Sequence, residues 1–306
     1  MKKAISNFQL PASKLKRDSA IVRAGNRGDW RFAIGNTAAF TLLELLVVIA
    51  ILGILAALTV PALKNMGKSN IQVSASRQLL DDLGRARQLA ISQRTTVYMV
   101  FVPENFWQFS GGWWNSLTPT EKAAGTNLLD KQFTGYTFVS LRSVGDQPGR
   151  GVARYISDWK SLPDGAFIAT NKFNQLYYPN NPNNYYPIYD YSFPTPVTYP
   201  IFSFNYTNTL PFPTATNFSV NAWLPYIAFN YLGQITVDGT SLASRDEFIP
   251  LAQGGVAYAM DRNKALQLAQ ADFTENPLGN STNSMFNVIR VDRLTGRATL
   301  LKQKLQ

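Results

Sequence analysis

From Phe40 to Leu63 the chain is apolar at almost every position and carries one charge, Glu44. These 24 residues would make a helix of about 36 Å at about 1.5 Å per residue, enough to cross a hydrocarbon core of about 30 Å. Gly53 lies mid-run and Pro61 near its end. A soluble core helix tolerates neither well, because Pro removes a backbone hydrogen bond and Gly costs about 1 kcal/mol relative to Ala. From Asn65 to Gln93 the pattern becomes amphipathic. Ile71, Leu79, Leu80, Leu83, Ala86, Leu89 and Ala90 recur at three- and four-residue spacing, while Arg77, Asp81, Arg85, Arg87 and Arg94 mostly fall elsewhere. The spacing predicts a helix that continues from the apolar run to about residue 94 and lays its apolar stripe on a sheet.

Beyond Thr95 the helical period ends and short β-branched or aromatic runs follow. Strands are predicted over 96–102, 136–141, 166–170, 226–230, 234–237, 255–260, 287–291 and 298–301. Tyr231-Leu232-Gly233 and Arg293–Arg297 read as hairpin turns between them. Residues 174–218 shift to Asn, Pro, Tyr and Thr, a composition that predicts an extended surface insertion packed through its tyrosines. A recognition loop is the functional alternative, since Tyr and Asn suit adaptable binding surfaces.

Charge changes the picture at the N-terminus. The chain carries 29 basic and 19 acidic residues, net +10. Residues 1–39 hold eight of the basic ones against Asp18 and Asp29, and this polar, aperiodic segment reads as a basic leader. By the positive-inside rule it would stay cytoplasmic, with everything after the span exported. The chain has no Cys and no His, so thiol nucleophiles, disulfides, the commonest general base and the commonest transition-metal ligand are all missing. No catalytic, cofactor-binding or metal-binding residue is nominated. Trp107, Trp113 and Trp114 cluster as core or rim packing rather than a ligand platform. Arg290, Arg293 and Arg297 sit in a locally basic C-terminal hairpin that offers a weak, salt-dependent nucleic-acid patch.

The acid in the apolar run carries the most information. A carboxylate within hydrocarbon costs about 2.5–3.5 kcal/mol on insertion scales, so a chain that retains one has a use for it. Phe40-Thr-Leu-Leu-Glu44-Leu-Leu resembles the processing and assembly motif of type IV pilins and type II secretion pseudopilins. The stretch from Leu80 to Phe101 and the final hairpin are similar to minor pseudopilins of the GspH/FimT type.

The resemblance implies an α+β fold: a long N-terminal helix, half membrane and half amphipathic, packed on an antiparallel sheet. Its domains would be a leader over 1–39, a membrane and assembly helix over 40–63, an amphipathic helix over 64–94 and an exported β-rich domain over 95–306. It also implies a prepilin peptidase that cuts between Ala39 and Phe40 and methylates the Phe40 amine. Glu44 would then pair with the N-terminus of a neighbouring subunit, and Gly53 and Pro61 would let the helix bend. Where the family has Gly before the cut, this chain has Ala39, and slower processing is expected. The implied partners are the peptidase, other pilin or pseudopilin subunits and the cytoplasmic membrane. The implied role is a structural subunit, not an enzyme, with nucleic acid the lesser candidate partner. An ordinary secretory signal with a cut near Ala57 or Ala62 is the competing reading; Glu44 and the uninterrupted amphipathic helix oppose it.

Overall fold

A computed structural model describes residues 41–108, 112–142, 151–178, 183–212, 220–282 and 287–302, with the helical backbone but not the side chains over 58–70. The chain is α+β, a helix followed by antiparallel sheets. It divides into two units at Leu55/Ala56, inside the long helix α1 (Leu42–Gln93).

In the second unit α1 presents Ala75, Leu79, Leu83, Ala86 and Ala90 to the core, each fully buried. They join one apolar cluster with residues from two sheets. The first sheet runs β11 (Ile235–Thr236), β10 (Tyr226–Phe229), β1 (Val97–Phe101), β2 (Gly135–Ser140), β3 (Arg154–Tyr155), with β4 (Lys160–Ser161) also on β2. Val97, Met99 and Phe101 of β1 join the cluster that holds α1, while Tyr98 and Val100 join a second cluster built around Phe106, Trp107, Trp113 and Trp114. Burial on both faces explains the unbroken apolar run Val-Tyr-Met-Val-Phe. The three tryptophans are core residues, as their composition suggested.

The second sheet runs β13 (Asp272–Glu275), β12 (Glu247–Ala257), β14 (Asn287–Val291), β15 (Ala298–Lys302), with β5 (Ala166–Ile168) on β12. The turns 231–233 and 293–297 meet between the two sheets. Ile235 N–H donates to the Arg293 carbonyl at 3.0 Å, and Arg87 Nε to the Thr295 carbonyl at 2.6 Å. Gly296, at φ 62°, is required there, because a Cβ would lie 2.0 Å from the Gly233 carbonyl oxygen.

Two regions differ from the sequence reading. The strand expected over 255–260 begins at Glu247 and ends at Ala257, and Met260 only bridges Leu266. Pro250 and Gly254-Gly255 hid it, since both residue types normally punctuate strands. The segment 174–218 is not simply a surface insertion. It forms the hairpin β6 (Tyr186–Asp190)–β7 (Val197–Ile201) and the strand β8 (Leu210–Phe212), which pairs with β9 (Val220–Ala222). Pro187 and Pro200 face each other, so both missing N–H groups fall in one register position. Ile188 and Ile201 pack on Val288 and Phe248 of the second sheet. Tyr206 is buried and Tyr178, Tyr186 and Tyr199 pack against the apolar clusters, so tyrosines do anchor the segment, together with the buried Phe202, Phe204 and Phe212.

One polar network ties α1 to the first sheet. Tyr136 donates to Asp82 at 2.6 Å, Lys160 Nζ lies 2.6 Å from the same carboxylate, and Gln78 Nε2 donates to Tyr136 at 2.8 Å. Burial, and then the Asp82 bond, push the Tyr136 phenol well above the usual tyrosine range, so it stays a neutral donor. Tyr136→Phe leaves a buried carboxylate short of one donor and is expected to cost about 1–3 kcal/mol in chemical denaturation.

Candidate functional site

The first unit holds the sequence-nominated assembly residues. Thr41 precedes α1, and its hydroxyl accepts the Glu44 N–H at 3.2 Å while its carbonyl accepts the Leu45 N–H at 3.1 Å. Thr41 is thus the N-cap and Glu44 the third helical residue, the spacing of a capping box with its first bond made. Sequence reasoning missed this, although Thr-x-x-Glu before an apolar run is a readable signal. The acid also lies where the helix dipole favours negative charge. Its side chain is exposed, and among the described residues no basic group lies against it.

Past that turn the helix is apolar all round. Every residue from Thr41 to Ala57 is exposed, and the large hydrophobics range from 42% at Val48 to 82% at Leu42. A helix with this pattern needs cover by lipid or by other helices. Gly53 faces open space, so nothing among the described residues requires its small size. The helical backbone continues through Pro61, whose missing N–H leaves the Ala57 carbonyl without its usual partner.

Ala39 and Phe40, the expected cleavage pair, lie outside the described residues. So do the side chains of 58–63, the end of the expected span. Among the described residues, no helix is long and apolar enough to cross a membrane. Nor does any group of acidic residues there have the arrangement to hold a metal ion.

The candidate nucleic-acid residues lie on and just after β14. Arg290 is spent on Asp246, at 2.6 Å, with Asp292 at 3.9 Å. Arg293 reaches the Ala243 carbonyl at 3.5 Å, and Arg297 is exposed. The structure therefore leaves less free positive charge on this hairpin than a count of its arginines suggests.

Residues 35–60 match the family model of the prokaryotic N-terminal methylation motif. The match covers Ala39, Phe40, Glu44 and Gly53, and it supports a type IV pilin-like subunit, a structural class associated with membranes or surface filaments and with other pilin subunits. No curated protein and no solved structure matches the chain.

Proposed function

We propose that this chain is a minor-pilin-like or pseudopilin-like subunit of a type II secretion or type IV pilus machine, of the GspH/FimT type. The observation that carries the reading is the exposed, all-round apolar helix that begins at Leu42, capped by Thr41, and holds a single acid in its first turn. In this account prepilin peptidase cuts between Ala39 and Phe40 and methylates Phe40. The apolar helix then sits in the cytoplasmic membrane, with the leader inside and the β-rich domain exported. During assembly the new amine of one subunit meets Glu44 of the next. A buried charge pair recovers much of its desolvation cost when the geometry is good, and the need for a partner fixes register between subunits. Gly53 suits close helix approach, because small residues let backbones meet in a membrane. The size of the exported domain favours a tip or accessory position over a repeating one.

The test is intact mass and N-terminal analysis of protein from native membranes, with and without the peptidase. The expected product begins at methylated Phe40, and Ala39→Gly is expected to speed its appearance. A chain that starts after Ala57 or Ala62 would show an ordinary secretory signal and remove the role assigned to Glu44.

The alternative role is an exported module at a filament tip or cell surface that engages DNA or a secreted substrate. Its DNA form draws chiefly on Arg293 and Arg297, since Arg290 is already paired. Salt-sensitive retention on DNA, lost when these arginines are neutralised, is the result that would support it.

A further inference from the structure

In the second unit, three segments far apart in sequence enclose a cleft of about 610 Å3. They are the turn after β1 (residues 104–108), the short turn 170–175, and the chain leading into and along β13. That volume suits a small-molecule ligand. Its chemistry is unusual for a chain with 29 basic residues, because among the described residues no lysine or arginine lines it. Lys172 sits in the middle of the second segment, yet it turns inward, fully buried, with Nζ 2.7 Å from the Phe202 carbonyl oxygen. The lining is instead rich in carboxamides.

These amides are largely uncommitted. The side chains of Asn105, Gln108, Asn171 and Gln175 bond to no described residue. Among the described residues the carboxylate of Glu104 is the only charge in the lining, and Gln270 Nε2 donates to it at 2.5 Å, which holds it in place. Apolar surface comes from two rings. Phe173 is buried against Phe133 and Phe204, while Phe273 on β13 is 43% exposed and rests against Phe133 and Phe167.

The geometry points to this cleft as a binding site for a neutral carbohydrate, with sugar hydroxyls on the amides and Glu104 and a sugar ring laid on Phe273. Each hydroxyl both donates and accepts, and so does each carboxamide, whereas a carboxylate accepts only. A set of amides with one fixed acid therefore matches vicinal hydroxyls. An anionic ligand would meet Glu104 without a compensating cation. The exposed ring supplies the apolar surface that the C–H face of a sugar covers. Its lining belongs wholly to the second unit, and the proposal does not depend on processing at Phe40.

The experiment uses the full chain in phospholipid nanodiscs, which avoids sugar-headed detergents. Saturation-transfer NMR would be run with maltotetraose, cellotetraose, chitotetraose and lactose, against sialyllactose and a short Asn/Gln-rich peptide. Saturable binding of at least one neutral oligosaccharide is expected. Asn171→Ala and Gln175→Ala should each weaken it at least fivefold, and Phe273→Ala at least tenfold. Phe273 also packs on the core, so Phe273→Leu, which keeps apolar contact but no flat face, is expected to lose binding while its melting temperature stays near wild type. Absence of saturable binding to every neutral sugar would overturn the proposal. So would preference for sialyllactose or the peptide, or neutral-sugar binding that the three sites leave unchanged.

Discussion

Glu44→Ala is expected to leave the chain in the membrane and to lower its incorporation into filaments at least tenfold. Two effects argue that membrane insertion and helix formation survive the change. Removing a carboxylate from an apolar helix relieves an insertion cost that reaches about 2.5–3.5 kcal/mol at a helix centre and is smaller in the first turn, so the variant enters hydrocarbon at least as readily as the parent. The capping bond at Thr41 is made by the Glu44 backbone N–H, which alanine retains. Only the interaction of the charge with the helix dipole is lost, about 0.3–1 kcal/mol. A failure to assemble would then report on the missing partner interaction between subunits. Glu44→Gln sharpens the comparison, because it keeps the side-chain shape while giving up the charge that a neighbouring amine would meet. The measurement is the ratio of protein in sheared filaments to protein in membranes, read by immunoblot with processing at Phe40 checked in parallel. Assembly of Glu44→Ala at the parental level would remove the role given to this acid.

Much of the architecture was legible because local pattern and tertiary environment agreed. The run Asn-Val-Ile-Arg-Val over 287–291 is a strand whose one charge, Arg290, is its one exposed residue, while Val288 on the same face is buried beneath the β6–β7 hairpin. The stripe Leu79, Leu83, Ala86, Ala90 read as one helix face and is buried as one. Legibility failed where a residue's role depends on chain far away. Nothing in the local sequence gives Asp82 a partner; only the fold brings Lys160 and Tyr136 to it. The prolines of the 174–218 segment argued against strands because the pairing of Pro187 with Pro200 cannot be read locally. The amide cleft is the extreme case. Its polar groups come from residues 104–108, 170–175 and 270, none of which forms a motif by itself.

Lys172→Met is expected to destabilise the second unit by about 3–5 kcal/mol, the largest loss predicted for a single substitution there. Lys172 has no exposed surface, and its ammonium donates to the Glu247 carboxylate and to the Phe202 carbonyl, 4.8 Å from the centre of the Phe204 ring. Burial outweighs the partner for both groups. It pushes the Lys172 amine down and the Glu247 carboxyl up, while each partially restores the other. Methionine fills similar volume without charge, so the loss comes mainly from a carboxylate that loses its bonded ammonium and keeps only the weaker attraction of Arg245. The pH dependence has a definite sign. Without Lys172 the folded-state pKa of Glu247 rises further above its unfolded value. Stability carried by the protonated acid is present below the unfolded carboxyl pKa and is lost as pH rises through the folded one. The deficit of Lys172→Met should therefore shrink toward pH 4 and be full at neutral pH. Replacing both partners, Lys172→Met with Glu247→Leu, removes the stranded charge and is expected to recover most of the loss, since apolar replacement of a buried pair is often neutral or stabilising. Urea denaturation at pH 4 and pH 7 on all three variants decides it. A double variant as unstable as the single one would mean that the pair itself, and not the avoidance of an unpaired charge, holds this part of the fold.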